Sequence, residues 1–202
     1  MTISFIFSLS VFMFISAVTP GPNNLLLTSS GANFGIRRSI PLCLGILLGM
    51  QTILLLSAFG VAALLLVYPA IHAGLKVLGC LYLLWLAWKT ASSHYKRLDT
   101  MKSAGREATK IYQGWLLQFL NPKTWLMGLG AVSSYSLSGQ LYNHSIFAIS
   151  IVMLISNILA SAIWLVLGSL IGQLLRSRHA WFMFNITMGI LTAACVPLIW
   201  FG

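Results

Sequence analysis

Thr19-Pro20-Gly21-Pro22-Asn23-Asn24 interrupts an apolar run that leads in from Ile3 to Val18 and out through Leu25 to Leu27. In a helix, Pro20 and Pro22 would strip the N–H donors from the carbonyls of Ser16 and Val18, and Gly21 between them adds backbone freedom. A second interruption falls at Asn121-Pro122, where Pro122 leaves the Gln118 carbonyl in the same position. A broken helix exposes carbonyls where its first half ends, and N–H groups carrying about +0.5 charge where its second half starts. The N–H end attracts a carboxylate and the carbonyl end suits an ammonium, so a zwitterionic amino acid matches both. The candidate substrate-binding residues are therefore Pro20, Gly21, Pro22, Asn23, Asn24, Gln118, Asn121, Pro122 and Lys123. Each asparagine offers a donor pair and an acceptor, and each can also cap an interrupted helix.

Lys123 is the one basic residue well inside an apolar span, where a charge costs about 2.5–3.5 kcal/mol on insertion scales. No span holds an acidic residue to pair with it. Its partner is a substrate carboxylate or backbone carbonyls, unless the ammonium snorkels to the cytoplasmic face. Asn157 and Asn185 sit in later spans, where hydrogen bonding between helices is the plain role. Gly31, Gly45, Gly49, Gly79, Gly128, Gly130, Gly168, Gly172 and Gly189 are expected at close helix contacts. Most of the seven tryptophans lie near span ends and read as interfacial anchors, with Trp125 and Tyr82 as possible cavity walls.

The elements that position these residues follow from composition. The chain has 202 residues, 58% hydrophobic and 7% charged, against about 25% charged in soluble domains. It reads as an integral membrane protein. A net charge of +10 could suggest nucleic acid, but the basic residues lie at span ends and not on one face. Cys43, Cys80 and Cys195 all fall in apolar spans without metal-ligand or disulfide spacing. Met1 to Val18 contains no Lys or Arg, making it a poor signal peptide that should be retained.

Six stretches are long enough to cross a bilayer, which takes about 20 apolar residues. They run over 3–32, 40–67, 70–88, 111–135, 145–171 and 180–200, with Pro41 in the first turn of the second. Arg37 and Arg38, the six basic residues from Lys89 to Lys110, and Arg176 with Arg178 fall in alternate loops, ten of the twelve in the chain. The positive-inside rule makes those loops cytoplasmic and places both termini outside. The polar linker 91–110 holds both acidic residues, Asp99 and Glu107, and separates halves 1–90 and 111–202. With three crossings each, the halves must be oppositely oriented, and each opens with a proline-broken helix. The expected fold is an all-α polytopic membrane protein: one transmembrane domain, 1–202, of six helices arranged as two inverted three-helix repeats. Paired broken helices in inverted halves point to a transporter's central site.

Thr19-Pro-Gly-Pro-Asn-Asn24, Gly31 and Gly35 with Arg37-Arg38, Gly114 with Asn121-Pro122-Lys123, and the run Gly79 to Lys89 around Tyr82 resemble the LysE/RhtB family of bacterial amino-acid exporters. The resemblance spans essentially the whole chain, and the Pro-Gly-Pro-Asn-Asn form is most similar to the cysteine and O-acetylserine exporter branch. It implies proton-driven efflux of amino acids or close derivatives, of the cysteine/O-acetylserine or the homoserine/threonine type, across the bacterial inner membrane. One departure stands out. Many members carry an Asp in span two, where this chain has Gly45-Ile-Leu-Leu-Gly49 followed by Met50-Gln51. Without an acid in any span, a second positive charge on the substrate would lack a counter-ion, so a neutral amino acid is favoured. Neither a cofactor nor a metal is implied, and no Ser–His–acid set or metal-ligand cluster lies in the spans to suggest an enzyme. Two other classes compete: an intramembrane thiol–disulfide carrier, which needs facing cysteines, and a non-transporting scaffold, which would need no breaks at mid-depth.

Overall fold

The computed structural model describes residues 3–60, 69–92, 109–175 and 177–201, which are almost entirely helical. Seven α-helices follow in order: α1 (Ile3–Val18), α2 (Pro22–Ala58), α3 (Pro69–Ala91), α4 (Ile111–Phe119), α5 (Pro122–Tyr135), α6 (Tyr142–Leu174) and α7 (Arg178–Phe201). A 3₁₀ turn, Gly139–Leu141, precedes α6. Both expected breaks are present. They separate α1 from α2 and α4 from α5, with Pro22 and Pro122 at the starts of the second members, where a missing N–H costs no helical bond.

The first two apolar stretches join differently from the expectation of a loop around Arg37-Arg38. Helix α2 is two limbs folded back at Gly35, whose φ of 74° and ψ of 174° suit glycine alone. Ser30 Oγ and Ser39 Oγ lie 2.7 Å apart across this turn, where a straight helix would hold them about 13 Å apart. The second limb thus starts ahead of Ile40, and Pro41 sits in its second turn, not its first. The other stretches match their helices closely. Residues 61–68, most of the linker 91–110, Arg176, and the side chains of His72, Lys76, Gly79, Tyr82, Cys195 and Trp200 lie outside the described residues.

Helices from the two halves of the chain pack mainly on each other: α2 on α6, α4 and α5, α1 on α6, and α3 on α7. Glycines set these distances. A Cβ at Gly168 would stand 2.1 Å from the Thr28 carbonyl oxygen, one at Gly172 2.5 Å from that of Ala32, and one at Gly45 2.0 Å from that of Ile111. Gly31, Gly49, Gly128 and Gly189 likewise abut neighbouring helices, as expected of small residues in a membrane bundle. The core runs from Leu9 and Met13 through Leu27, Ile46 and Leu54 to Leu117, Ile149 and Met153. Outside it, Phe7, Leu126, Phe147, Leu174 and Phe182 are each more than half exposed. So much bare apolar surface fits a hydrocarbon surround, not water. Pro22–Ala58 and Gly139–Leu174 are long and apolar enough to cross a membrane.

The Gly35 turn also fixes the depth of the site. The first break precedes it by 13 residues, and Gly49, which abuts Gln118 beside the second break, follows it by 14. At 1.5 Å per residue both breaks lie about 20 Å from the turn, at one level of the bundle.

Candidate functional site

The first break leaves three carbonyls of α1 and its tail to be satisfied by side chains. Asn24 Nδ2 donates to Ala17 O and Thr19 O, both at 2.8 Å. Trp164 Nε1, from the middle of α6, donates to Val18 O at 3.0 Å, replacing the donor that Pro22 lacks. Lys123 Nζ reaches from α5 to Thr19 O at 2.5 Å. Of the partners open to Lys123 on sequence grounds, backbone carbonyls are thus the ones engaged. Trp164 is a brace at the break, not the interfacial anchor expected of most tryptophans.

The second break closes on itself. Leu120 N donates to Leu117 O at 3.2 Å and Asn121 N to Gln118 O at 3.3 Å. The Gln118 carbonyl is therefore paired, contrary to the expectation that Pro122 leaves it open. Trp125 Nε1 donates to Phe119 O at 3.0 Å, and Asn121 Oδ1 caps α5 by accepting from Lys123 N at 3.1 Å.

A buried amide cluster joins the two breaks. Asn23 Nδ2 donates to Gln118 Oε1 at 2.9 Å, and Gln118 Nε2 returns a bond to Asn23 Oδ1 at 3.1 Å. Asn121 Nδ2 also donates to Asn23 Oδ1, at 3.3 Å. Gln118 further donates to Gly114 O at 3.0 Å and accepts from Thr124 Oγ1 at 2.9 Å. Both its donor hydrogens and both acceptor sites are then used. With its side chain fully buried, Gln118 clamps Asn23 in place and has no valence to spare for a ligand.

Beside this cluster lies a cavity of about 20 Å³ lined by Ser16, Ala17, Gly21, Asn23, Asn24, Ile46, Met50, Asn121, Lys123, Thr124, Met127, Asn157, Ala160 and Ser161. Five of the nine candidates, Gly21, Asn23, Asn24, Asn121 and Lys123, are on its wall, and Pro20, Pro22, Pro122 and Gln118 are not. Thr124 was missed despite adjoining Lys123. Met50, Met127, Ser161 and Trp164 were missed because one apolar or small residue in a membrane helix looks like any other. Asn157 donates to Met153 O of its own helix and lines the cavity, whereas Asn185 does bridge helices, accepting from Asn33 at 3.2 Å. Cys43 is partly buried in α2 and Cys80 is buried in α3, and both are free thiols. Trp125 braces the second break and is not a lining residue. Among the described residues no cluster of metal-ligating side chains occurs.

Two broken helices meeting at one depth around a small hollow that Asn23, Asn24, Asn121 and Lys123 help to line resemble the discontinuous helices at a membrane carrier's central site. The chain belongs to the LysE type translocator family, whose model it matches over residues 14–202. It is 31% identical over 187 residues to the cysteine/O-acetylserine efflux protein of Salmonella typhimurium strain LT2, covering 93% of each chain. It is 31% identical over 189 residues, again 93% of each chain, to the protein of the same name from Escherichia coli strain K12. No solved structure matches it.

Proposed function

We propose that this protein is an inner-membrane secondary exporter of small neutral amino acids or their derivatives, working by alternating access between two inverted three-helix repeats. The observation that carries the reading is the meeting of both helix breaks at the cavity, linked by Asn23, Gln118 and Asn121. In it, the N–H groups opening α2 and α5 take the substrate carboxylate, and the carbonyls of Ala17 and Thr19 take its ammonium. A volume of about 20 Å³ accommodates roughly one water, so an amino acid enters only after the halves part. In this reading the arrangement described is closed to substrate. No acidic side chain lines the cavity, so a second positive charge would go unmatched, which favours neutral substrates. For the same reason a proton drive would have to run through Lys123 or the substrate itself. In this reading both termini are periplasmic and the linker 91–110 is cytoplasmic, which the alternation of basic loops supports. The efflux activity in the names of the 31%-identical relatives supports export, and cysteine or O-acetylserine as first substrates to try.

The test is counterflow in liposomes holding the purified protein, with labelled cysteine, O-acetylserine, threonine, homoserine, lysine and arginine, with and without a pH gradient. Small neutral amino acids are expected to move fastest, with a rate that responds to the gradient. Faster movement of lysine or arginine would overturn the assignment.

A further inference from the structure

The Thr19 carbonyl is already full. Its two lone pairs are occupied by Asn24 Nδ2 and Lys123 Nζ. A substrate ammonium can bind there only if one of these leaves. Asn24 is buried and spans two carbonyls at once, so its departure would orphan Ala17 O as well. Lys123 is half-buried and ends a flexible four-carbon stem. Space has been left for that stem: Lys123 Cδ and Nζ lie only 3.2 and 3.4 Å from where a Cβ on Gly21 would be. Gly21 has φ −178° and ψ 179°, extended backbone open to any residue, so conformation does not require glycine here. A side chain there would instead crowd the Lys123 stem.

We propose that Lys123 is a tethered stand-in for the substrate's amino group: its ammonium holds the carbonyl end of α1 in the empty carrier, and substrate binds by displacing it. The inference rests on the amino-acid exporter reading for the ligand's chemistry. One ammonium replaces another, so the buried charge at the carbonyl end does not change. The released Lys123 ammonium, at the second residue of α5, is then free to meet the substrate carboxylate, which explains how a site without acids holds a lysine in both states. An amine without a carboxylate must displace Lys123 while giving it no new partner, so the site selects for zwitterions.

The probe is ethylamine, which is alanine without its carboxylate, titrated into purified full-length protein by calorimetry. If the tether occupies the carbonyl end in about nine molecules of ten, ethylamine binding is weakened about tenfold. Lys123→Met is therefore expected to bind ethylamine about tenfold more tightly than wild type, and to regain thermal stability when it is added, with no such gain in Lys123→Arg. Lys123→Met binding ethylamine no better than wild type would overturn the proposal. Should that variant fail to fold, Gly21→Ala decides: its methyl crowds the lysine stem, and a gain of about threefold in ethylamine binding is expected, with no gain overturning the proposal. The two readings fail separately. Wild-type amino-acid counterflow without an ethylamine gain in the variants sinks only the tether, and the gain without any amino-acid counterflow sinks only the exporter reading.

Discussion

The two helix breaks contain the same interruption and solve it in opposite ways. At the second, every paired carbonyl finds its donor within six residues: Leu117 and Gln118 from the turn itself, Phe119 from Trp125, and Asn121 caps the helix that follows. At the first, Gly21 supplies no side-chain cap. Val18 and Thr19 depend on Trp164 and Lys123, both more than a hundred residues away in sequence. Only Asn24 acts locally. The second break is satisfied from within its own segment, whereas the first is held by the opposite half of the chain; in the exporter reading proposed above, the first is the one expected to open when that half moves. A carrier needs one of each: a fixed reference and a part whose satisfaction depends on its neighbour.

Asn24→Leu should have the largest effect, because it orphans the buried Ala17 carbonyl, at about 1–3 kcal/mol, and takes from Thr19 O one of its two donors. Asn121→Ala removes one cap, worth about 1 kcal/mol, and one long bond to Asn23. Thermal unfolding in detergent should thus show Asn24→Leu the less stable of the two. Equal losses would mean that the first break is as self-sufficient as the second. Next comes Asn23→Ala, which removes the acceptor shared by Gln118 and Asn121 and uncouples the two breaks. Counterflow is expected to fall at least about tenfold, the equivalent of roughly 1.4 kcal/mol, while membrane insertion stays normal. Wild-type rates would detach the amide cluster from transport.

The tryptophans give a closer contrast. Trp164→Phe and Trp125→Phe each delete one indole N–H bond to a carbonyl, at the same length of 3.0 Å. Each costs about 1 kcal/mol of stability. The difference should appear in kinetics: Trp164 ties α6 to α1 across the halves, so its loss should change the counterflow rate several-fold, while loss of Trp125 should leave the rate within about twofold of wild type. Parallel effects on rate would erase the distinction between a moving and a fixed break.

Much of this was legible in the sequence because hydrocarbon leaves so few options. Helical segments, both breaks and the packing glycines follow from apolar run length, proline positions and the ban on bare backbone at depth. What stayed hidden depended on a third dimension. The chain reversal between residues 32 and 40 was expected, but not its tightness: helix runs up to Gly35 on one side and through Arg37-Arg38 on the other, and the turn rests on the positive φ of Gly35. Trp164 could not be paired with Val18 from spacing, since 146 positions separate them. Gln118 looked like a ligand because its side chain is polar at depth. Saturation of all four of its hydrogen-bonding sites is a property of geometry, and sequence carries no trace of it.

The smallest effect separates the breaks most cleanly. Pro22→Ala and Pro122→Ala each restore one backbone N–H. At Pro122 the new donor finds the Gln118 carbonyl already engaged by Asn121 N, and the Asn121 side chain still caps α5. Nothing is gained by straightening, so stability should stay within about 0.5 kcal/mol and counterflow within about twofold. At Pro22 the new N–H competes with Trp164 for Val18 O, with no side-chain cap on Gly21 to oppose it. The first break can then anneal towards a continuous helix, which would release α6 and withdraw the carbonyl end from the cavity. Pro22→Ala should therefore slow counterflow several-fold without loss of stability, and equal tolerance of the two substitutions would show that neither break is used in transport.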